Sequence, residues 1–575
     1  HKRDWFGITG SLKVETGRVE LAVLLDAARR QQRFVRVDAH RWVELSELLR
    51  NKLGELADHA FEGQVSKGIE LSVGAVPIIQ KLVDEGVEVA TDKLWARLGD
   101  RLGAATKLRP KPPATLKATL RPYQLEGHAW LARLAAWGAG GVLADDMGLG
   151  KTVQTLAVLL DRAKLGPAIV LAPTSVCLNW VDELRRFAPT LRPIIYGERN
   201  DRAATLRELK PKDVLILSYG LLARDAEQLA QQEFATLVAD EAQAIKNPRT
   251  ERAKGARMLR AEFRVALSGT PIENHLGELW SLFALVFPGL LGSWDQFRGR
   301  FGVPIERDRS ETARRSLARL IRPFLLRRTK AEVAPELAAR SEILVPIALS
   351  SQEAELYEDA RLATVAMLDK KKRDDDDKRR FEVLAALTRL RLLASHPKLY
   401  DPSSPVASSK LQRLLELIDE LRSEGHRALV FSQFTSHLAL VRAELDRTSV
   451  PYLYLDGATP AKDRADLVRR FQGGEAELFL ISLKAGGTGL NLTAADYVIH
   501  LDPWWNPAVE DQATDRAHRI GQDKPVTVYR LVARGTVEEK ILALHGTKRA
   551  LVASVLDGAD AAAKLTTRDL FDLLG

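Results

Sequence analysis

The stretch DDMGLGKT, residues 145 to 152, decides how this chain is read. A phosphate-binding loop has the form G-x-x-x-x-G-K-S/T, and Asp145 stands where its first glycine belongs. The strict form fails at that one position, so the flanks must decide. GGVLA before the loop is a short apolar run suited to a buried strand. After it, KTVQTLAVLLDRAK places Val153, Leu156, Ala157 and Leu160 at i, i+3, i+4 and i+7, the spacing of an amphipathic helix. Strand, glycine-rich turn and helix are the setting in which N–H groups at a helix start hold anionic oxygens. Gly148 and Gly150 let the backbone approach without a Cβ in the way. Lys151 suits β- and γ-phosphates, and the Thr152 hydroxyl suits Mg²⁺. The plainer alternative is an ordinary strand-to-helix turn that ends in Gly-Lys-Thr.

The rest of the chain sets the context. Its 575 residues exceed what one core supports, so several domains are expected. Hydrophobic residues make up 46% and charged residues 28%, the balance of a globular protein. Lys and Arg number 85 against 76 Asp and Glu, a net +9, which favours a polyanionic partner such as nucleic acid. One cysteine, Cys177, excludes an intramolecular disulfide framework and a cysteine-cluster metal site. Its apolar setting, LAPTSVCLNW, reads as a buried thiol. No run approaches the ~18 apolar residues that a membrane span needs. The first residue is His1, so the chain reads as a fragment or a processed product.

The expected fold class is α/β, with two parallel-sheet lobes, helical insertions between them and a small N-terminal α+β region. Residues 1–103 mix alternating and helical stretches and form an accessory region; 104–117, rich in proline and positive charge, read as a linker. GGVLA, AIVLAP, DVLILSYG, FATLVADE and FRVALSGT alternate with helices, which places a parallel-sheet lobe at 118–335 with a helical protrusion from about 276. Residues 336–405 read as a helical insertion. RALVFSQF, YLYLDG, LFLISLKAGG, YVIHLDP and VTVYRLVARG then build a second lobe over 406–555, followed by a tail at 556–575. KKKRDDDDKRR at 370–380 mixes seven cations with four aspartates and reads as a solvated loop or helix tip.

About ninety residues past the loop, LVADEAQ puts Asp240 and Glu241 at the end of a buried strand. Phosphoryl transfer needs a carboxylate on Mg²⁺ and a group that orients the attacking water, and these two residues suit those roles in that order. Gln124, in LRPYQLEG, offers a side-chain amide to an adenine edge. LSGTPIEN offers the Ser268 and Thr270 hydroxyls. DQATDRAHRIGQ carries Gln512, Arg516 and Arg519 at helical spacing, so the two arginines are expected on one helix face. Paired arginines reaching a γ-phosphate accelerate its transfer by on the order of 10³ to 10⁵.

DDMGLGKT, DEAQ, LSGTPIEN, ISLKAGGTGLNLTAADYVIHLDPWWNP and DQATDRAHRIGQ, in this order, resemble the SWI/SNF-type ATPases of helicase superfamily two. PFLLRRTKAEV and VYRLVARGTVEEKI extend the resemblance, which runs from about 118 to 545. In that superfamily the loop ends G-x-G-K-T, as Gly148 to Thr152 do, and the family commonly opens it with Asp-Glu where this chain has Asp145-Asp146, so Asp145 is expected there. The resemblance implies two RecA-like lobes with ATP between them, and ATP-driven translocation along duplex DNA without strand separation. It implies a nucleotide site of Gln124, Asp146, Met147, Gly148, Leu149, Gly150, Lys151, Thr152 and Gln512, with Mg²⁺ on Thr152 and Asp240. Catalysis falls to Lys151, Asp240, Glu241, Arg516 and Arg519. DNA contacts fall to Thr174 in lobe one and to Ser432, Gln433, Lys484, Gly486, Gly487, Thr488 and Gly489 in lobe two; small residues and N–H groups suit phosphate contacts. Trp504 and Trp505 either stack near DNA or pack in the core.

Two positions depart from the family pattern. Asp146 stands where glutamate is common, and Gln243 where the acidic motif commonly ends in histidine. Gln243, with Ser268 and Thr270, is expected to couple nucleotide state to the rest of the lobe. The implied partners are double-stranded DNA and a DNA-bound protein or polymerase to be moved; a monomer off the membrane is expected. A strand-separating DNA or RNA helicase and an RNA-polymerase-recycling factor are the alternatives. Composition rich in Ala, Leu and Arg points to a GC-rich bacterial genome and hence to the cytoplasm and nucleoid, or to the nucleus for a eukaryotic chain.

Overall fold

The computed structural model describes residues 5–14, 17–30, 32–36, 41–57, 60–61, 69–76, 78–79, 89–91, 93–199, 201–269, 276–334, 337, 339–369, 376–483, 485, 490–543 and 545. Two compact units make up the chain. The first runs to Thr329, the loop residues Met147–Leu149 excepted, and the second begins at Lys330.

In the N-terminal region, β1 (Trp5–Val14), β2 (Gly17–Glu20), β5 (Ala60–Phe61), β6 (Ile69–Ser72) and β7 (Val89–Thr91) form an antiparallel sheet, and β3 (Phe34–Arg36) pairs with β4 (Trp42–Glu44). The helix Lys93–Lys107 follows and takes up residues 104–107, where a linker was expected. It packs on the helix Pro122–Trp137, where Arg101 Nε donates to the Ala136 carbonyl at 3.3 Å. The rest of the linker also lies against the lobe: Leu116 is buried, and Lys117 N donates to the Phe187 carbonyl at 2.7 Å.

The first lobe is a seven-stranded, wholly parallel sheet. Its strands are β8 (Gly141–Leu143), β9 (Ala168–Ala172), β10 (Arg192–Ile195), β11 (Asp213–Ser218), β12 (Glu233–Ala239), β13 (Arg260–Leu267) and β14 (Leu325–Leu326), in spatial order β10-β11-β9-β12-β13-β8-β14. β9 is buried at all five positions, because helices cover both faces of a parallel sheet. β10 and β14 were not legible in the sequence. β14 is only two residues long, and β10, in LRPII, carries a proline and lies at the sheet edge.

The second lobe is also wholly parallel, in the order β15-β20-β19-β16-β18-β17: β15 (Arg340–Ile347), β16 (Ala428–Ser432), β17 (Tyr452–Leu455), β18 (Leu478–Ser482), β19 (Tyr497–His500) and β20 (Val526–Ala533). Leu429, Phe431, Phe479 and Ile481 enter one apolar core, while Ala428, Val430, Leu478 and Leu480 enter the other, the two-residue alternation of a strand buried on both sides. β15 lies inside the range expected to be a helical insertion. Its first five residues are mostly exposed because it is an edge strand, so the buried pattern that marks its neighbours is missing. The insertion proper is the pair of helices Ser351–Asp369 and Asp376–Ser395. Of the charge run at 370–380, residues 370–375 lie outside the described residues.

Candidate functional site

The carboxyl ends of the first lobe's strands carry the expected nucleotide residues, as open parallel sheets place their ligand sites. β8 leads into the loop and β12 into Asp240; β13 leads into Ser268 and β9 into Thr174, which is exposed at the first turn of the helix Thr174–Phe187. Thr270 lies outside the described residues.

The loop turns on glycine. Gly148 and Gly150 have φ of +86° and +77°, a region in which a Cβ is strained. Gly150 is also the N-cap of the helix Lys151–Arg162, and a Cβ there would come within 2.5 Å of Gln124 Nε2. The Gln124 amide thus lies against the start of the helix that would cradle phosphate. Lys151 Nζ donates to the Asp145 carbonyl at 2.5 Å and the Asp146 carbonyl at 3.3 Å.

Asp145 is a buried anchor. Arg328 grips it with a fork, Nε to Oδ1 at 3.0 Å and Nη2 to Oδ2 at 2.6 Å, the bidentate geometry in which Arg binds carboxylate best. Arg328 Nη2 also reaches Gln154 Oε1 at 2.9 Å, Nη1 donates to the Tyr123 carbonyl, and the guanidinium lies over the Tyr123 ring. Gly127 makes room for this: a Cβ there would stand 1.9 Å from Gln154 Oε1 and 2.8 Å from Arg328 Nη2. A first glycine would leave that guanidinium without its carboxylate, which is why this loop departs from G-x-x-x-x-G-K-S/T. The sequence signal for Arg328 is the second arginine of PFLLRRTKAEV, a segment whose local pattern assigns it no role.

Asp240 is fixed from several sides. Trp180 Nε1 donates to Oδ2 at 2.8 Å and Glu241 N to Oδ1 at 2.9 Å, while Tyr219 Oη donates to the Asp240 carbonyl at 2.7 Å. Burial pushes the carboxyl of Asp240 up from its ordinary value, outweighing the Trp180 and Glu241 N–H bonds and the nearby Lys151 cation. Burial likewise lifts the Cys177 thiol to about 11, so that cysteine is inert packing. Glu241 holds the left-handed backbone region at φ +47°, a strained position that functional sites retain. Gln243 Nε2 donates to Glu241 Oε2 at 2.7 Å, and Ser268 Oγ donates to Gln243 Oε1 at 3.3 Å. A hydroxyl, a buried carboxylate and a lysine at a helix start are the donor set that Mg²⁺ and triphosphate require: Mg²⁺ takes one or two protein oxygens and completes its shell with phosphate and water.

In the second lobe, Ser432 Oγ donates to Asp502 Oδ2, and Gln433 N to Asp502 Oδ1 at 3.1 Å. Lys484 and Gly486–Gly489 lie outside the described residues. Trp504 and Trp505 pack in the core: Trp504 meets the second-lobe cluster and Trp505 the insertion-helix cluster, and the Arg391 guanidinium lies 5.6 Å and 5.1 Å from their ring centres. The helix Pro507–Thr514 carries Gln512 but stops before both arginines. Arg516 and Arg519 follow in turns, so helical spacing does not set their directions. Arg516 is buried and its carbonyl accepts Leu492 N at 3.0 Å; Arg519 Nη1 reaches the Leu490 carbonyl at 3.5 Å. The hydrogen bond from Arg516 N to the Ala513 carbonyl closes a tighter turn than an α-helix allows.

Comparison with known proteins places this arrangement. Residues 123–399 match the SNF2-related domain and residues 409–521 the helicase conserved C-terminal domain. The chain belongs to the SNF2 family of ATPases. It is 41% identical over 503 residues to YwqA, a candidate ATP-dependent helicase/translocase of Bacillus subtilis (strain 168), covering 85% of this chain and 54% of that protein. It is 36% identical over 445 residues to the human SWI/SNF-related matrix-associated actin-dependent regulator of chromatin subfamily A member 1, covering 74% of this chain and 42% of that protein. The chain thus spans about half the length of the curated relatives it matches. Among solved structures, the Sulfolobus solfataricus SWI2/SNF2 ATPase core in complex with dsDNA is 35% identical, with 81% of this chain and 97% of that chain covered and a TM-score of 0.41. Among the described residues, no helix is long and apolar enough to cross a membrane.

Proposed function

We propose that this SNF2 chain is a DNA-stimulated, Mg²⁺-dependent ATPase that translocates on duplex DNA and displaces or remodels proteins bound there. The observation that carries this reading is the constellation at the carboxyl ends of one sheet: Lys151 at a glycine-turned helix start, Asp240 fixed by Trp180, and Glu241 held by Gln243. Lys151 binds the β- and γ-phosphates in place of the loop carbonyls it now meets, Thr152 and Asp240 hold Mg²⁺, and Gln124 meets the base. Held by Thr152 and Asp240, Mg²⁺ would supply neutralisation of charge on the transferred phosphoryl group. Glu241 orients the attacking water and takes its proton. Arg516 and Arg519 are assigned to the finger that stabilises transition-state charge, with Gln512 beside them in sequence.

Duplex DNA is supported as the partner by the net positive charge and by sequence identity of 35% to the Sulfolobus solfataricus ATPase core, a protein solved in complex with dsDNA. Thr174, Ser432 and Gln433 are assigned to DNA phosphates. The accessory role of 1–103, the boundaries at 335 and 405 and action as a monomer belong to the same proposal.

The test is the ATP hydrolysis rate alone and with duplex DNA, single-stranded DNA and duplex RNA, at one stated salt concentration, with Glu241→Gln as the inactive control. Stimulation by duplex DNA above the other two, together with triplex displacement without strand separation, supports the proposal. Equal stimulation by single strands or RNA overturns it in favour of a strand-separating helicase.

A further inference from the structure

Chain connectivity passes from the first unit to the second between Thr329 and Lys330. Cations stand on both sides of that crossing, and each is buried and bonded within its own unit. On one side Arg328 holds the phosphate loop through Asp145 and the helix of Gln124 through the Tyr123 carbonyl. On the other side Lys330 Nζ donates to Asp515 Oδ1 at 2.6 Å and to the His518 carbonyl. Those two acceptors bracket Arg516. Arg340 adds a second cation to the same segment, with Nη2 donating to Asp511 Oδ1 at 2.9 Å and Nη1 lying 3.7 Å from Asp515 Oδ1.

Neither contact is the kind that a solvated connector makes. Arg328 is 8% exposed and Lys330 9%. Burying either charge is costly unless a carboxylate and further acceptors compensate, and here each cation has a carboxylate and at least one carbonyl. An ordinary linker of glycine, serine or exposed lysine would join the units at no such cost. The helix Pro507–Thr514 ends before Arg516, and short-range backbone bonds close the turns that carry it, from Arg516 N to the Ala513 carbonyl at 3.3 Å and from His518 N to the Thr514 carbonyl at 3.1 Å. The Lys330 and Arg340 bonds add side-chain anchors to those turns at Asp511, Asp515 and His518.

The geometry points to Arg328-Thr329-Lys330 as a two-ended strap, whose arginine positions the phosphate loop and whose lysine positions the Arg516-bearing turn. Neither residue touches the reacting atoms; both are positioning residues. The inference rests on the finger role proposed for Arg516. Since the two ends hold residues with different proposed roles, they affect different kinetic constants. Arg328 acts on nucleotide binding, through Asp145 and Tyr123. Lys330 acts on the chemical step, through Arg516.

The experiment compares Arg328→Lys and Lys330→Met in the full chain with duplex DNA, measuring KM for ATP, kcat and thermal melting. Arg328→Lys keeps the charge but loses the fork; KM is expected to rise about tenfold with kcat within about threefold. Lys330→Met is expected to lower kcat at least about tenfold with KM within about threefold, and to have no further effect in an Arg516→Ala background, as expected for groups that act as a unit. If Lys330→Met does not fold, Asp515→Asn weakens the same bond from its other end with an isosteric side chain and should give the same kinetic split. Identical KM and kcat changes in both variants, or losses that add to Arg516→Ala, overturn the strap. A wild-type chain without ATPase activity overturns the functional reading and the strap with it; an active wild type with variants that do not split overturns the strap alone.

Discussion

Gln243 donates from Nε2 to Oε2 of Glu241 at 2.7 Å, and this bond determines where the carboxylate of the strained Glu241 lies. The same amide accepts from Ser268 Oγ at 3.3 Å, so one side chain joins the ends of β12 and β13. An amide donates and accepts at once, which a neutral imidazole can also do, and that accounts for glutamine where the family commonly has histidine. A hydrogen bond to a charged group contributes about 1.5–3 kcal/mol. Gln243→Leu should therefore lower DNA-stimulated kcat at least about tenfold while KM for ATP stays within about threefold. Steady-state kinetics checks this, and an unchanged kcat would show that Gln243 does not orient Glu241.

Trp180 is the residue behind Asp240. Its indole N–H donates to Oδ2 at 2.8 Å, leaving the carboxylate one fixed orientation. Groups that orient a metal-binding carboxylate contribute about 10- to 100-fold to metal affinity. Trp180→Phe keeps most of the packing and removes the N–H. The Mg²⁺ concentration for half-maximal ATPase activity should rise about tenfold, with activity restored at saturating Mg²⁺. A drop in activity that Mg²⁺ does not restore would place Trp180 in folding alone.

Lys410 and Glu538 form a deeply buried ion pair in the second lobe, with Nζ 2.6 Å from both carboxylate oxygens and each side chain 1% exposed. Nζ also donates to the Leu501 carbonyl at 3.1 Å, and Glu538 accepts Ala533 N at 2.9 Å. Removing one partner strands the other charge, at a cost of about 3–5 kcal/mol. Lys410→Met should lower the melting temperature markedly, and Lys410→Met with Glu538→Leu should recover most of the loss. Equal melting temperatures for the single and double variants would mean that the stranded carboxylate is not the cause.

Legibility followed burial and hydrogen-bond symmetry. Strands β9, β11, β12, β16 and β18 are buried at nearly every position, because both faces of a parallel sheet are covered, and the apolar run of each stands out in the sequence. β15 does not, since its edge position leaves Ile343 and Leu344 exposed and admits Ser341 and Glu342. Motif spacing located Lys151 and Asp240 and the hydroxyl of Ser268, whose positions follow from strand ends. It did not give the setting of Arg516 and Arg519, because i, i+3 spacing fits a helix as well as the turns found after Thr514. Arg328 and Trp180 were hidden for a different reason. Their partners lie 183 and 60 residues away, and no local pattern marks a side chain that acts on a distant carboxylate.

Asp496 sets how the second lobe responds to acid. Burial pushes its carboxyl up, but the Arg427 N–H, His426 and Lys524 outweigh that and hold it below its ordinary value. Arg427 N donates to Oδ1 at 3.0 Å, and His426 Nδ1 lies 2.8 Å from Oδ2. An acid whose folded-state value is depressed binds more protons when unfolded, so its contribution is complete above the unfolded value near 3.9 and is lost as pH falls through the folded one. Asp496→Asn should therefore cost about 1–3 kcal/mol at pH 7, the worth of charge-assisted hydrogen bonds. The deficit relative to wild type should hold above the unfolded value near 3.9 and narrow only as pH falls below it towards the lower folded one. Denaturant unfolding of both proteins across that range measures it. A deficit that stays constant with pH would assign the loss to packing around the side chain instead of its charge.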